Sequence, residues 1–260
     1  AVFDVYLRNG NSEKFEFTGQ LAAFSGLEFM AEGPFRKSKG GSFVASYRYG
    51  IASLAATGTS ATPFYQDLSF KLNFGNTKTG KWELFGLGGL SSIDFLGDDI
   101  EEDDLFANPN EDAFAENELA LLGLTNTLRL NKTTFLKTSI GWSTAFNGFN
   151  EDNLLRDADG IQIGKYRSTI SNERENRFTI GSTLNKKFNA KWSLRAGFLN
   201  ENYQVDFLTR DRDNRVNIPD ENGDGIPDYF IDVVNIDDSY NLTQFFAQAE
   251  NKITDNLSVT

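Results

Sequence analysis

Residues 14–24 alternate in character. Phe15, Phe17, Leu21 and Ala23 fall on one side, and Lys14, Glu16, Thr18 and Gln20 on the other. A period of two is the repeat of a β-strand with one apolar face. The pattern returns with Leu27, Phe29, Ala31 and Phe35 against Glu28 and Glu32, and with Phe43, Ala45, Tyr47 and Tyr49 against Ser46 and Arg48. It is cleanest where Leu68, Phe70, Leu72 and Phe74 alternate with Ser69, Lys71 and Asn73. Noisier strands are predicted over residues 82–95, 118–130, 134–146, 175–184, 191–207 and 240–252. Each is about ten residues or somewhat more, the length a tilted strand needs to cross a bilayer. The segment 82–90 favours neither face, and Gly86, Gly88 and Gly89 mark a bend or a close approach there.

Composition supports this reading only when the alternation is considered with it. Aromatic residues make up 13% of the chain, with 24 Phe, yet hydrophobic residues reach only 39% and the formal charge is −12. No apolar run approaches the roughly 20 residues of a membrane-spanning helix. A barrel reconciles these facts, because its strands offer lipid only every second side chain. The chain has no Cys and no His, which excludes disulfides, thiolate or imidazole zinc sites and a Ser-His-Asp triad. Nothing singles out a pair of carboxylates as a glycosidase site, so the chain is read as a non-enzyme with no catalytic residue. The acidic balance excludes nucleic acid as a partner, since phosphate binding needs a basic face.

The connections between strands alternate short and long. Short ones lie at residues 35–42, 75–81, 131–133, 185–191 and 253–256, and long ones at 50–63, 96–117, 147–174 and 208–239. Outer-membrane barrels have short periplasmic turns and long extracellular loops. Charge sorts the same way: Arg36, Lys37, Lys39, Lys78, Lys81, Lys132, Lys186, Lys187 and Lys191 lie in the first four short turns with no acid among them. The segment 97–117 holds nine acids and no base. Trp82 and Trp192 each follow a turn lysine, the place of an interfacial aromatic girdle. Phe15, Phe17, Phe29, Phe70, Leu72, Trp82 and Trp192 are therefore expected to face lipid, and Glu16, Thr18, Glu28, Lys71 and Asn73 to face the lumen.

One loop carries a metal-like spacing. In Asp220-Glu-Asn-Gly-Asp-Gly-Ile-Pro-Asp228, oxygen ligands stand at positions 1, 3, 5 and 9, with a glycine at 6 and a main-chain carbonyl at 7. That is the donor set Ca²⁺ takes from a tight loop. The expected ligands are Asp220, Asn222, Asp224, the carbonyl of Ile226, and Asp228, with no other cofactor. Ile231 stands where an EF-hand has its Glu, and the stretch more closely resembles the calcium loops of thrombospondin type 3 repeats. The alternative is an acidic turn that binds nothing, since Asp, Asn and Gly favour turns in any case.

Several stretches resemble TonB-dependent outer-membrane receptors. The run Ala1-Val-Phe-Asp-Val-Tyr-Leu-Arg-Asn-Gly10 resembles the exit of that family's plug domain. Residues 27–39 followed by 42–48 look like its first periplasmic hairpin, 64–74 like its fourth barrel strand, and 249–258 like a later periplasmic hairpin. The resemblance implies an all-β, antiparallel up-and-down transmembrane barrel, here about eleven strands of twenty-two. Residues 1–13 would be the end of the plug and the plug-to-barrel connection, and residues 14–260 the N-terminal half of the barrel. The chain would then be a piece of a longer one, with the TonB box and most of the plug outside it. The implied function is active uptake of a nutrient through a plugged barrel in the bacterial outer membrane, energised by TonB. Expected partners are outer-membrane lipid, TonB through the plug region, a small nutrient ligand and, optionally, a surface lipoprotein. Two alternatives stand beside this: an outer-membrane anchored binding or adhesion protein, and a secreted soluble all-β calcium-binding domain.

Overall fold

In the computed structural model, residues 6–22, 26–36, 39–50, 61–99, 108–212, 223, 225, 226, 228–254 and 257–259 are described. Eleven strands form one sheet: β1 (Glu16–Ala22), β2 (Gly26–Arg36), β3 (Gly41–Tyr49), β4 (Ala61–Thr77), β5 (Gly80–Phe95), β6 (Glu111–Asn131), β7 (Thr134–Arg156), β8 (Gln162–Lys187), β9 (Trp192–Arg212), β10 (Phe230–Thr254) and β11 (Leu257–Val259). Their order in the sheet is their order in the chain, and each is antiparallel to its neighbours. β1 and β11 are the two outer strands, so the meander is open. No helix among the described residues is long and apolar enough to cross a membrane.

The register sorts side chains onto two faces. One cross-strand line runs Phe17, Ala31, Ala45, Phe70, Gly86, Leu122, Trp142 and Phe178 across eight strands without a polar side chain. The adjacent line on the opposite face runs Glu16, Glu32, Val44, Lys71, Phe85, Gly123, Gly141, Thr179, Glu201 and Leu242, mixing charged with apolar positions. The first line continues into Asn202 and Asn241 on β9 and β10 because the strands are staggered. Gly86 lies four residues past Trp82 on β5, whereas Asn202 lies ten past Trp192 on β9. A line perpendicular to tilted strands climbs the barrel wall, so on β9 and β10 the apolar belt lies lower, at Leu194, Ala196 and Phe198 and at Phe245, Ala247 and Ala249.

Both faces are largely bare of other protein. Leu154 and Pro34 are the only buried aliphatic or aromatic side chains among the described residues, while Phe17, Phe29, Leu68, Leu122, Ile140, Trp142, Phe178 and Phe245 are exposed. A single apolar layer of this size is unfavourable in water and suited to lipid. The glycines of 82–90 allow close packing of rings: a Cβ on Gly86 would lie 2.6 Å from Cε1 of Phe70. Phe85 covers Gly123 on the other face in the same way. Large aromatics thus fill the space that glycines leave open.

The strands are longer than their alternation indicates. β6 to β10 have 21, 23, 26, 21 and 25 residues, and the expected loop over 147–174 is instead a continuation of β7 and β8, closed by a turn at 157–161. The expected loops at 96–117 and 208–239 are likewise shortened by strand at Glu111 and at Arg212 and Phe230. At about 3.3 Å per residue β8 spans about 85 Å, far more than an apolar layer about 25 Å tall requires even at a tilt. Above the belt both faces of a strand meet water, so the two-residue contrast vanishes while the hydrogen-bonded ladder persists.

Candidate functional site

Residues 7–11 lie against one face of β1 to β4 and identify it as the inner one. Arg8 grips Glu32 with both guanidinium nitrogens, at 2.6 and 2.7 Å, and the Asn11 amide donates to the same carboxylate at 2.8 Å. Asn11 also donates through Nδ2 to Glu16 (2.6 Å), and Lys71 donates to the Leu7 carbonyl at 3.1 Å. Gly10 passes so close to the Phe43 carbonyl that no side chain would fit. Glu16, Thr18, Glu28, Lys71 and Asn73 all belong to this inner face, as the alternation predicts. Phe17, Phe29, Phe70, Leu72, Trp82 and Trp192 belong to the opposite face, with Phe15 joining them through its contact with Phe43 at 6.2 Å.

The inner wall is lined with cross-strand ion pairs and rings. Glu83 lies 3.4 Å from Lys71 and 3.0 Å from Lys81, and Arg48 binds Asp67 at 2.7 Å while lying over Tyr65. Further round, Arg177 reaches Glu201 (3.7 Å) and the Tyr203 hydroxyl (3.3 Å), and Tyr203 stacks on Tyr240 with centroids 4.6 Å apart. Charged and hydrogen-bonding groups on this face suit a polar solute, whereas on the opposite face the apolar belt interrupts the polar groups, such as Asn200 with Asn241 and Arg174 with Glu118.

Sequence reasoning missed a second cluster, at the long-loop end. Asp112 and Asp152 are cross-strand partners, each buried to 7% and 6% relative exposure, and Leu154 is buried beside them. Lys165 approaches Asp112 at 3.2 Å and Asp152 at 3.6 Å, and Arg167 pairs with Asp152. The Gly97 amide donates to Asp112 at 3.0 Å, and Arg156 ties Asp98 (2.7 Å) to the Pro109 carbonyl (2.6 Å). Two facing carboxylates repel unless cations intervene, and here two do. The cluster holds the tops of β6, β7 and β8 together. The sequence signalled only the length of β8, since between residues 161 and 187 there is no Pro and no run of turn residues to break a strand.

Of the expected calcium ligands, Asp220, Asn222 and Asp224 lie outside the described residues, while Ile226 and Asp228 lie within them. Gly223 and Gly225 have φ of 74° and 83°, the left-handed region glycine adopts without strain and a tight loop requires. Among the described residues no group of three or more His, Cys, Asp or Glu is placed to hold a metal.

The open meander, the belt on one face and the segment pinned to the other are those of part of an antiparallel up-and-down β-barrel. No protein-family model matches the chain, and no curated protein matches its sequence. Among solved structures it is similar to the ferric-catecholate import receptor Fiu from E. coli K12. The open form gives a TM-score of 0.53 at 12% identity over 95% of this chain and 47% of that one. The closed form gives 0.51 at 10% identity over 95% and 43%. The chain therefore spans less than half the length of either receptor chain, and at these identities the likeness is one of fold.

Proposed function

We propose that this chain is the plug exit and first half of the barrel of an active-transport receptor in the bacterial outer membrane. Such a receptor takes a small nutrient through a plugged lumen with energy from TonB. The observation that carries this reading is the passage of residues 7–11 along the inner wall, fixed by Arg8 to Glu32 and by Lys71 to the Leu7 carbonyl. A simple pore has no need of a segment held inside it, whereas a receptor that must retain and move a plug does. Residues 1–13 are then the last of the plug, and the protein is not an enzyme. A surface lipoprotein would meet the long-loop end, and one Ca²⁺ would stiffen the loop around Asp220 and Asp228. The cargo is a polar solute, and a ferric catecholate, which the similar receptor imports, is the first to test. A secreted soluble domain is disfavoured because the apolar face has no core to enter, and nothing specific favours adhesion.

The test is uptake of radio-iron catecholate by cells that lack their own receptors and express the full-length protein. Uptake should require TonB and stop when the membrane is depolarised. Recovery of the protein outside the outer-membrane fraction would overturn the receptor reading. Uptake that persists without TonB would overturn the energised mechanism.

A further inference from the structure

The short-turn end of the sheet carries a charge opposite to that of the chain as a whole. Between residues 126 and 144 the cations are Arg129, Lys132 and Lys137, with no acid among them. Between 176 and 200 they are Arg177, Lys186, Lys187, Lys191 and Arg195, again with no acid, in a chain whose formal charge is −12. Glu83 neutralises Lys81 on β5, but Lys78, Lys132, Lys186, Lys187 and Lys191 have no ion-pair partner among the described residues. These lysines lie in or next to three short turns, between β4 and β5, β6 and β7, and β8 and β9.

The same rim closes the apolar belt with aromatics. Trp82 and Trp192 stand on the outward face at the feet of β5 and β9, and Phe35 and Phe74, at the short-turn ends of β2 and β4, meet edge to face at 5.5 Å. Trp82 turns its indole N–H toward the turn, donating to Thr79 at 3.0 Å. Phe188 is exposed in the β8–β9 turn, with the Lys186 ammonium over its ring at 6.0 Å. An indole at the edge of an apolar layer, with an unpaired lysine one residue further out as at Trp192 and Lys191, matches a phospholipid: ring beside the ester region, ammonium beside the phosphate.

We propose that this rim is a binding surface for anionic phospholipid headgroups of the periplasmic leaflet, a reading that rests on the outer-membrane assignment above. Partners that approach from solution, an acidic protein or an anionic glycan, would be met by the lysines alone. Only a lipid engages the lysines and the belt-edge aromatics together. The rim thereby fixes the depth of the barrel through its short turns, while the acidic long-loop end stays out of the bilayer.

The experiment places the full-length protein in vesicles of phosphatidylcholine with and without phosphatidylglycerol, and reads lipid selectivity from spin-labelled lipids and from native mass spectrometry of retained lipids. Each cation near an anionic surface is worth about fivefold in association. The wild type should prefer phosphatidylglycerol several-fold, and salt should reduce the preference. Combining Lys132→Gln, Lys186→Gln, Lys187→Gln and Lys191→Gln should abolish it, and the same four positions changed to Arg should restore it. Equal association with both lipids, or a preference that survives the Gln changes, overturns the inference while leaving the membrane assignment standing. So does binding of soluble polyglutamate without lipid selectivity. Failure to insert into either vesicle overturns the membrane assignment itself.

Discussion

Replacement of Phe70 by Arg puts the two-faced sheet to a quantitative test. Phe70 pairs with Ala45 and Gly86 in the uninterrupted apolar line, and its ring covers Gly86. Gly86 lies four residues along β5 from Trp82. With a rise of about 3.3 Å and a tilt of about 40°, that places it about 10 Å above the aromatic rim, near the middle of a belt about 25 Å tall. Arg at the midplane of the lipid face costs about 2–4 kcal/mol, so the folding equilibrium should fall by about 30-fold to about 900-fold. The control is Ser69→Arg, one residue away on the inner face between Ser46 and Leu87, which should cost under about 1 kcal/mol. Asn73 would be a poor control: it is buried, and its side-chain oxygen accepts the Gly75 amide at 3.0 Å. The assay is urea-dependent folding of the full-length protein into phospholipid vesicles, followed by gel mobility. Equal costs at the two positions would refute the lipid assignment. A larger cost at Ser69 would mean that the register is slipped by one residue and the faces are exchanged.

Two further outcomes concern the long-loop end. Asp232 accepts a hydrogen bond from Asn235 (2.7 Å) and pairs with Arg210 (2.8 Å), and these hold its carboxyl below the ordinary Asp value. A depressed carboxyl stabilises the fold above its unfolded pKa of about 3.9 and loses that contribution as pH falls through the folded value. Hydrogen exchange at the tops of β9 and β10 should therefore speed up below about pH 4 beyond the intrinsic rate, and Arg210→Gln should move this opening to higher pH. Exchange that follows the intrinsic rate in both proteins would count against the pair. For the expected calcium loop, added calcium should protect residues 213–229 from protease at a Kd of about 10⁻⁴–10⁻³ M, and Asp224→Ala should remove the protection while the barrel folds normally. An unprotected wild-type loop would leave only an acidic turn.

The sequence alone determined which residues share a face. Side chains alternate by two in any strand, so Phe70 and Leu72 were bound to oppose Lys71 and Asn73 whatever their neighbours, and the order of short turns implied a meander of sequential strands. It could not determine where strands end once they leave the belt. There Lys165, Arg167 and Asp152 read as a polar loop, and only the pairing of β7 with β6 and β8 makes them a buried ionic cluster. Nor could it set the stagger between strands, which decides whether Asn202 stands in the belt or above it, because register depends on the partner strand as well as on the strand itself. The docking of Arg8 on Glu32 likewise joins residues 24 apart whose proximity no local periodicity encodes. Alternation is a local consequence of backbone geometry, whereas register, strand length beyond the bilayer and the path of the N-terminal segment arise from contacts between distant parts of the chain.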